Sequence, residues 1–273
     1  MDLESCLPSS LRGAPITQMT SGQSGALVYR VGDAHVLKIS DQQRISIVRA
    51  AAAAGVAPEV VHVDEARHAV VSAFVRDQGF ARLAAMDPPR ARALAGECLR
   101  RAHALDVPAP RVEPRTMLAN MLAATADLVV PAAARAAGET VLALAPPPYD
   151  EPDVLSHNDA NPTNLVFDGE RVLLLDWDAA AINDPYYDAA AIAVFLKLVV
   201  CEPTPRFHYD RRLVAATCGT IFLHLARKSG HPGAAEGTAA LHELYAEMRA
   251  GTLAMSSADA RWRMGLALLA ESS

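Results

Sequence analysis

Short apolar runs separated by turn residues fill the first 75 positions, a pattern typical of antiparallel strands. Residues 26–31 and 35–40 mix β-branched and aromatic side chains, and the dipeptide Gly32 and Asp33 between them favours a tight hairpin. Residues 14–22 predict a preceding strand, and residues 58–75 predict two more strands joined by a turn. The chain therefore begins as a small antiparallel sheet.

One helix is predicted inside this sheet region. Residues 41–55, DQQRISIVRAAAAAG, are rich in alanine, which favours helix. Asp41 is expected to cap the start of the helix and Gly55 to end it. The predicted order is β-β-β-α-β-β.

After residue 75 the pattern becomes helical. Alanine, leucine and arginine dominate residues 87–105, with Asp87 as the expected cap, and residues 116–145 predict two further helices. Two short strands follow at residues 164–177, joined by the turn dipeptide Asp168 and Gly169, and the rest of the chain predicts helices. The sequence thus indicates an α+β protein with a sheet-containing N-terminal lobe, residues 1–76, and a mainly helical lobe, residues 77–273.

Composition narrows the class of protein. Hydrophobic residues make up 51% of the chain and charged residues 21%, which argues against disorder. The net charge of −6 does not favour nucleic acid as a partner. The four cysteines are far apart and form no metal-binding pair, and neither a signal peptide nor a membrane span is apparent, so we expect a cytoplasmic protein. Its oligomeric state cannot be read from the sequence.

The chemistry-bearing residues cluster in residues 155–181, which we call the polar segment. Turn formation alone could explain part of this cluster, because Asn and Asp are common in turns. Phosphoryl transfer, however, needs a carboxylate for the acceptor proton, oxygen ligands for Mg²⁺ and a lysine for the phosphates. Lys38 lies at the end of a predicted strand, and the polar segment supplies the other groups: His157, Asp159, Asn161, Asn164, Asp176 and Asp178.

SHNDANPTNLVFDGERVLLLDWD, within this segment, resembles the catalytic segment of small-molecule kinases of the aminoglycoside phosphotransferase and choline kinase families. Their shared pattern is His-x-Asp, four residues, Asn, a hairpin and then Asp. NDPYYDAA resembles the stretch that follows in those families, whereas SGQSGALVYRV and HVLKIS resemble their phosphate loop and lysine strand. The resemblance implies a two-lobed, protein-kinase-like fold with nucleotide bound by the N-terminal lobe.

The same resemblance implies roles for individual residues. Asp159 would be the catalytic base, and Asn164 and Asp176 would bind Mg²⁺. Lys38 would contact the α- and β-phosphates of ATP, and Ser24 would cover the phosphates.

Three further residues are expected to support the site. His157 would support the loop, and Asp188 would open a helix and brace that loop. Asp178 has three interpretations: a second metal contact, a group facing a cationic substrate, or a solvated carboxylate. If the DWD stretch is extended, its two carboxylates lie on the same side.

One position departs from the family pattern. A helix glutamate is expected to pair with the strand lysine, but the helix predicted at residues 41–55 holds Arg44 or Gln43 where that acid would stand. Lys38 would then be held by Asp41 or by the nucleotide itself.

The sequence thus predicts an ATP- and Mg²⁺-dependent kinase acting on a hydroxyl of a small, possibly cationic molecule, choline- or ethanolamine-like or aminoglycoside-like. A non-catalytic nucleotide-binding pseudokinase is the alternative. Acidic and aromatic residues in the C-terminal helices could bind a cation, although a solvated helix has the same pattern: Tyr209, Asp210, Glu243, Tyr245, Glu247 and Trp262.

Overall fold

The computed structural model describes residues 2–19 and 26–273. The chain divides into two compact units, one formed by Met1–Arg111 with Pro152–Val200 and the other by Val112–Glu151 with Cys201–Ser273. The lobe boundary predicted after residue 76 lies within the first unit and stays a prediction. Ser24 and the turn predicted near it lie outside the described residues.

A five-stranded antiparallel sheet forms the N-terminal part of the first unit, in the order β1-β2-β3-β5-β4. The strands match the predicted hairpins, because β-branched residues, which favour strands, are frequent in them: β1 (Ile16–Gln18), β2 (Leu27–Val31), β3 (His35–Ile39), β4 (Val60–Asp64) and β5 (Ala69–Ala73). Their apolar side packs on Cys6 and Leu7 of the N-terminal arm. In the central strand β3, Lys38 pairs with Val28 on one side and Val70 on the other.

Helix α1 spans Ile45–Ala53, which is shorter than predicted. The expectation that Asp41 caps it is wrong, because Asp41 lies exposed in a turn and Arg44 stands at the cap position without a side-chain cap bond. Gly55 follows the helix with a φ of 66°, a conformation that glycine adopts readily, as the predicted stop requires. The order β-β-β-α-β-β is confirmed.

The remainder of the first unit carries the polar segment between helices. As predicted, the Asp87 side chain caps the helix Pro88–His103 by accepting a hydrogen bond from the Arg90 main-chain N–H, at 3.2 Å. The helix Phe80–Met86 and the pairing of Val154–Ser156 with Ala181–Asn183 were not predicted, because such short elements leave little periodicity in the sequence. The elements are α2 (Phe80–Met86), α3 (Pro88–His103), β6 (Val154–Ser156), β7 (Leu165–Phe167), β8 (Val172–Leu174), β9 (Ala181–Asn183) and α6 (Tyr187–Leu196).

The second unit is helical, as the sequence predicts. It contains α4 (Pro114–Ala124), α5 (Ala132–Ala143), α7 (Pro205–Lys228), α8 (Leu241–Arg249) and α9 (Ala258–Glu271). Helices α7 and α9 approach closely at Gly219 and Gly265, where a Cβ atom on Gly265 would lie 2.9 Å from the Gly219 carbonyl oxygen. Within the described residues, no helix combines the length and apolar character needed to cross a lipid bilayer.

Candidate active site

Asp159 stands between two asparagines of the polar segment. The Asn161 side-chain amide donates to Asp159 Oδ1 at 2.8 Å, and the Asn164 amide donates to Asp159 Oδ2 at 2.8 Å and to its carbonyl oxygen at 3.0 Å. Both carboxylate oxygens are therefore oriented by short-range neighbours. This explains the spacing in HNDANPTN, where the two amides come two and five residues after the acid.

The surroundings of Asp159 alter its proton affinity. Desolvation by neighbouring protein atoms raises the pKa of its carboxyl group above the ordinary value, and the negative charge of Asp176 acts in the same direction. Hydrogen bonds from Asn161 and Asn164 and the proximity of His157 lower the pKa, but their combined effect is smaller than that of desolvation. Asp159 as a whole remains accessible to solvent.

Asn164 and Asp176 are the residues whose oxygens fit Mg²⁺. Strands β7 and β8 form a hairpin, and the Leu175 N–H donates to the Asn164 carbonyl at 2.8 Å, so the end of β8 lies beside the loop before β7. Because the amide nitrogen of Asn164 serves Asp159, its amide oxygen is the atom suited to a hard cation.

Among residues 2–19 and 26–273, carboxylate, thiol and imidazole side chains do not enclose a metal site on their own. In the part of the chain that the structure describes, no group of three or more His, Cys, Asp or Glu side chains could hold a metal ion. Mg²⁺ commonly takes one or two protein carboxylates together with substrate phosphates. One carboxylate and one amide oxygen therefore suit a metal that arrives with a nucleotide.

Asp176 has an unusual backbone. Its φ of 59° and ψ of 70° place it in the left-handed region, and a short 3-10 turn over Trp177–Ala179 follows. The DWD stretch is therefore not extended, contrary to the premise of the sequence argument, because the chain reverses at Asp176. Residues outside glycine adopt this conformation rarely, and such residues concentrate at functional sites.

Lys38 bridges the two acids of this stretch. Its Nζ lies 2.7 Å from Asp176 Oδ1 and 2.7 Å from Asp178 Oδ1. Strand β3 thus places the Lys38 ammonium group between two carboxylates that follow β8 in the sequence. Asp178 is further held by Ser40, whose Oγ donates to Asp178 Oδ2 at 2.9 Å, and by Arg44, whose Nε donates to the Asp178 carbonyl at 2.9 Å.

His157 is a fully buried part of the loop framework. Its Nε2 lies 2.8 Å from the Leu175 carbonyl oxygen, and its Nδ1 accepts from the Asp159 N–H at 3.3 Å. A carbonyl oxygen can only accept, so the network assigns the proton to Nε2. The ring also meets Trp177 edge-on, with centroids 4.8 Å apart. This arrangement orients the backbone of Asp159 and is compatible with the supporting role expected of His157.

Asp188, at the start of α6, has no exposed surface. Its two oxygens accept main-chain hydrogen bonds from His157 and Asn158, both at 2.8 Å, and its Oδ2 lies 3.0 Å from His103 Nε2. Burial alone would raise the pKa of this carboxyl group, but the hydrogen bond and electrostatic interaction with His103 and the main-chain bond from His157 together lower it. These contacts are compatible with the role expected of Asp188, which is to hold the loop backbone in place.

Three contributing residues were missed in the sequence analysis. His103 lies near the end of α3, and a lone histidine there carries no distinctive spacing. Asn158 has a φ of 62°, and its side chain bonds to the Ser156 carbonyl and to Asn183. Only the tolerance of asparagine for left-handed backbone could have suggested Asn158. Ser40 contacts Asp178 across 138 residues of chain, which no local pattern reveals.

Three of the acidic and aromatic candidates in the second unit, Glu247, Asp210 and Trp262, have side-chain partners there. Glu247 accepts from Arg263 at 2.7 Å, and this bond lowers its pKa. Asp210 is buried beside Arg206, with Nε and Oδ2 3.3 Å apart. Trp262 is likewise buried and stacks on a histidine ring. These contacts give the three residues structural partners, which weakens the argument that they were placed for a cationic substrate.

Comparison with known proteins places the chain in a family. The model of the phosphotransferase enzyme family, APH, matches residues 15–220. Protein LicA of Haemophilus influenzae is 32% identical over 62 residues, but the match covers only 19% of this chain and 23% of LicA.

Solved structures resemble most of the chain. A choline/ethanolamine kinase family protein from Mesorhizobium loti has a TM-score of 0.59 and 21% identity over 95% of this chain and 92% of its own. The streptomycin–ATP–APH(2″)-IIa ternary complex has a TM-score of 0.51 and 14% identity over 77% of this chain and 85% of its own. The predicted kinase-like fold, with a sheet-containing N-terminal region and a helical C-terminal region, is confirmed. Because the family model covers most of its length, the chain belongs to the phosphotransferase enzyme family.

Proposed function

We propose that the protein transfers the γ-phosphoryl group of ATP to a hydroxyl group of a small molecule, with Mg²⁺ as cofactor. The observation that carries the proposal is the convergence of Asp159, Asn164, Asp176 and Lys38 in one unit of the fold. Phosphoryl transfer depends mainly on positioning and charge stabilisation, and these four residues supply a base, two oxygen ligands and a phosphate-binding cation.

Each residue has a defined part in this reaction. Asp159 accepts the proton of the acceptor hydroxyl as its oxygen forms a bond to the γ-phosphorus and the bond between that phosphorus and the β–γ bridging oxygen breaks. Asn161 and Asn164 hold the Asp159 carboxylate in position. Lys38 binds phosphate oxygens. Asn164 and Asp176 would hold Mg²⁺ through their side-chain oxygens, and the bound ion would supply charge neutralisation at the phosphates.

The raised pKa of Asp159 supports its assignment as the base. A carboxylate with increased proton affinity is a better proton acceptor. His157 and Asp188 contribute by fixing the loop backbone on which Asp159 stands.

The acceptor is proposed to be choline- or ethanolamine-like or aminoglycoside-like. The names of the similar structures support this range, whereas the contacts of Glu247 and Asp210 do not single out a cation. A panel of alcohols therefore has to include neutral sugars as well as amines.

Turnover of ATP and of GTP with Mg²⁺ tests the proposal, with choline, ethanolamine, aminoglycosides and neutral sugars as acceptors and the phosphorylated product identified by ³¹P NMR. We expect transfer to at least one acceptor, and we expect chelation of Mg²⁺ to abolish it. A thermal shift with ATP but no transfer to any acceptor would instead favour the non-catalytic, nucleotide-binding alternative.

A further inference from the structure

The strand lysine of this protein has no acidic partner on the neighbouring helix. Helix α1 reads ISIVRAAAA and contains no acid, and the residue at its cap position is the cation Arg44. If Lys38 binds phosphates, as proposed above, some other group has to hold its ammonium in place. The contacts of Lys38 identify the available groups as Asp176 and Asp178.

The two acids differ in how firmly they are held. The Asp176 side chain is 32% exposed. It is also the proposed metal ligand, so its oxygens would bind Mg²⁺ as well as Lys38. The Asp178 side chain is 8% exposed. One of its oxygens faces Lys38, and the other accepts from Ser40.

Arg44 completes this arrangement from the helix side. Its Nε donates to the main-chain carbonyl of Asp178 and thereby fixes the turn that presents the acid. The helix thus contributes a cation that holds the acid-bearing turn, where the family pattern has the acid on the helix itself. The Lys38 ammonium is neutralised in either case.

We propose that Asp178 is the positioning residue for Lys38, replacing the helix acid, and that Ser40 and Arg44 hold Asp178 in place. The inference rests on the proposed function of Lys38 and extends it. It also argues against two of the earlier interpretations, the solvated carboxylate and the group facing a cationic substrate, because one oxygen of Asp178 is in an ion pair with Lys38, the other accepts from Ser40, and the side chain is 8% exposed.

Steady-state kinetics with ATP as the varied substrate test the assignment. For Asp178→Asn we expect the KM for ATP to rise about tenfold and kcat to fall about 10- to 100-fold, since small misplacements of a positioned group have effects of this size. The KM for the acceptor stays unchanged. A partly unfolded variant would lower kcat without changing the KM for ATP, so the two effects are separable.

Two variants and one control sharpen the test. Asp178→Glu retains the charge and should recover part of the loss, and Ser40→Ala should show a smaller rise in the KM for ATP. Glu65→Gln removes a carboxylate from an exposed ion pair with Arg49 in the same sheet region and should behave as wild type.

A double-mutant cycle decides whether Asp178 acts through Lys38. In the Lys38→Ala background, Asp178→Asn should cause no further loss of kcat/KM, because the group that it positions is already gone. Additive losses, or wild-type kinetics for Asp178→Asn alone, would overturn the assignment while leaving the proposed function intact. If the wild type neither binds ATP nor transfers phosphate, the proposed function fails and the inference fails with it.

Discussion

His103 Nε2 lies 3.0 Å from Asp188 Oδ2, which joins the end of α3 to the acid that holds the polar segment. Replacing Asp188 with alanine leaves two main-chain N–H groups and His103 without their acceptor. We expect the free energy of unfolding to fall by about 3 kcal/mol or more, because unsatisfied buried donors are costly. Urea denaturation measures this change.

Asp41→Ala is the matched control for that experiment. Asp41 is exposed in a turn and does not cap α1, so its removal should change the unfolding free energy by less than about 0.5 kcal/mol. A loss for Asp188→Ala as small as this would contradict the bracing role of Asp188.

The brace also predicts a pH dependence of stability. The folded-state pKa of Asp188 is lowered, so its contribution is present above the unfolded-state pKa and is lost as the pH falls through the folded-state pKa. The stability difference between wild type and Asp188→Asn should therefore shrink below about pH 4, the ordinary range for an aspartate. Thermal melts from pH 7 to pH 3 measure it, and a constant difference would count against an ionised Asp188.

Asp159→Asn should abolish transfer without unfolding the protein. We expect kcat to fall by about 10²- to 10⁴-fold, the usual contribution of a general base. The folded-state pKa of Asp159 is raised, so its ionised form reduces stability at neutral pH, and this cost disappears as the pH falls below the unfolded-state pKa. The variant should thus be at least as stable as wild type at pH 7. Retained turnover would contradict the role of Asp159.

Asn161 should set the acidic limit of activity. Its hydrogen bond lowers the pKa of Asp159, so Asn161→Ala should raise that pKa and move the acidic limb of the kcat/KM profile to higher pH. Thr163→Val is the control, because Thr163 Oγ1 donates to Asn161 and not to Asp159. If both variants shift the limb equally, the effect comes from the turn and not from the bond to Asp159.

The crossing of α7 and α9 should be intolerant of a methyl group. A Cβ on Gly265 would lie 2.7 Å from a Leu223 methyl carbon and 2.9 Å from the Gly219 carbonyl oxygen. Gly265→Ala should lower the unfolding free energy by about 2 kcal/mol through overpacking, although alanine is intrinsically the better helix former by about 1 kcal/mol. The melting temperature of Gly265→Ala should therefore be lower than that of wild type. A higher melting temperature would show that the two helices can move apart to accommodate the methyl group.

The strands and the order of groups in the polar segment could be predicted because their signals are local. Gly32 and Asp33 mark one hairpin, and the spacing from His157 to Asn164 identifies the loop. The partner of Lys38 could not be predicted, because Asp178 is 140 positions away and the three-dimensional fold alone brings it close. The prediction that Asp41 caps α1 was wrong because helix propensity does not fix where a helix begins. Helix α1 begins four residues after Asp41, and no side chain makes a capping hydrogen bond at its start.

The left-handed backbone at Asn158 and Asp176 restricts the amino-acid alphabet at both positions. Glycine, asparagine and aspartate are the residues that enter this conformation readily. At position 176 the side chain must also accept from Lys38 as an anion, which leaves aspartate as the one member of that set able to meet both demands. Glutamate carries the same charge but would have to adopt an unfavourable backbone conformation there. Both conformation and charge therefore restrict which amino acids can replace Asp176.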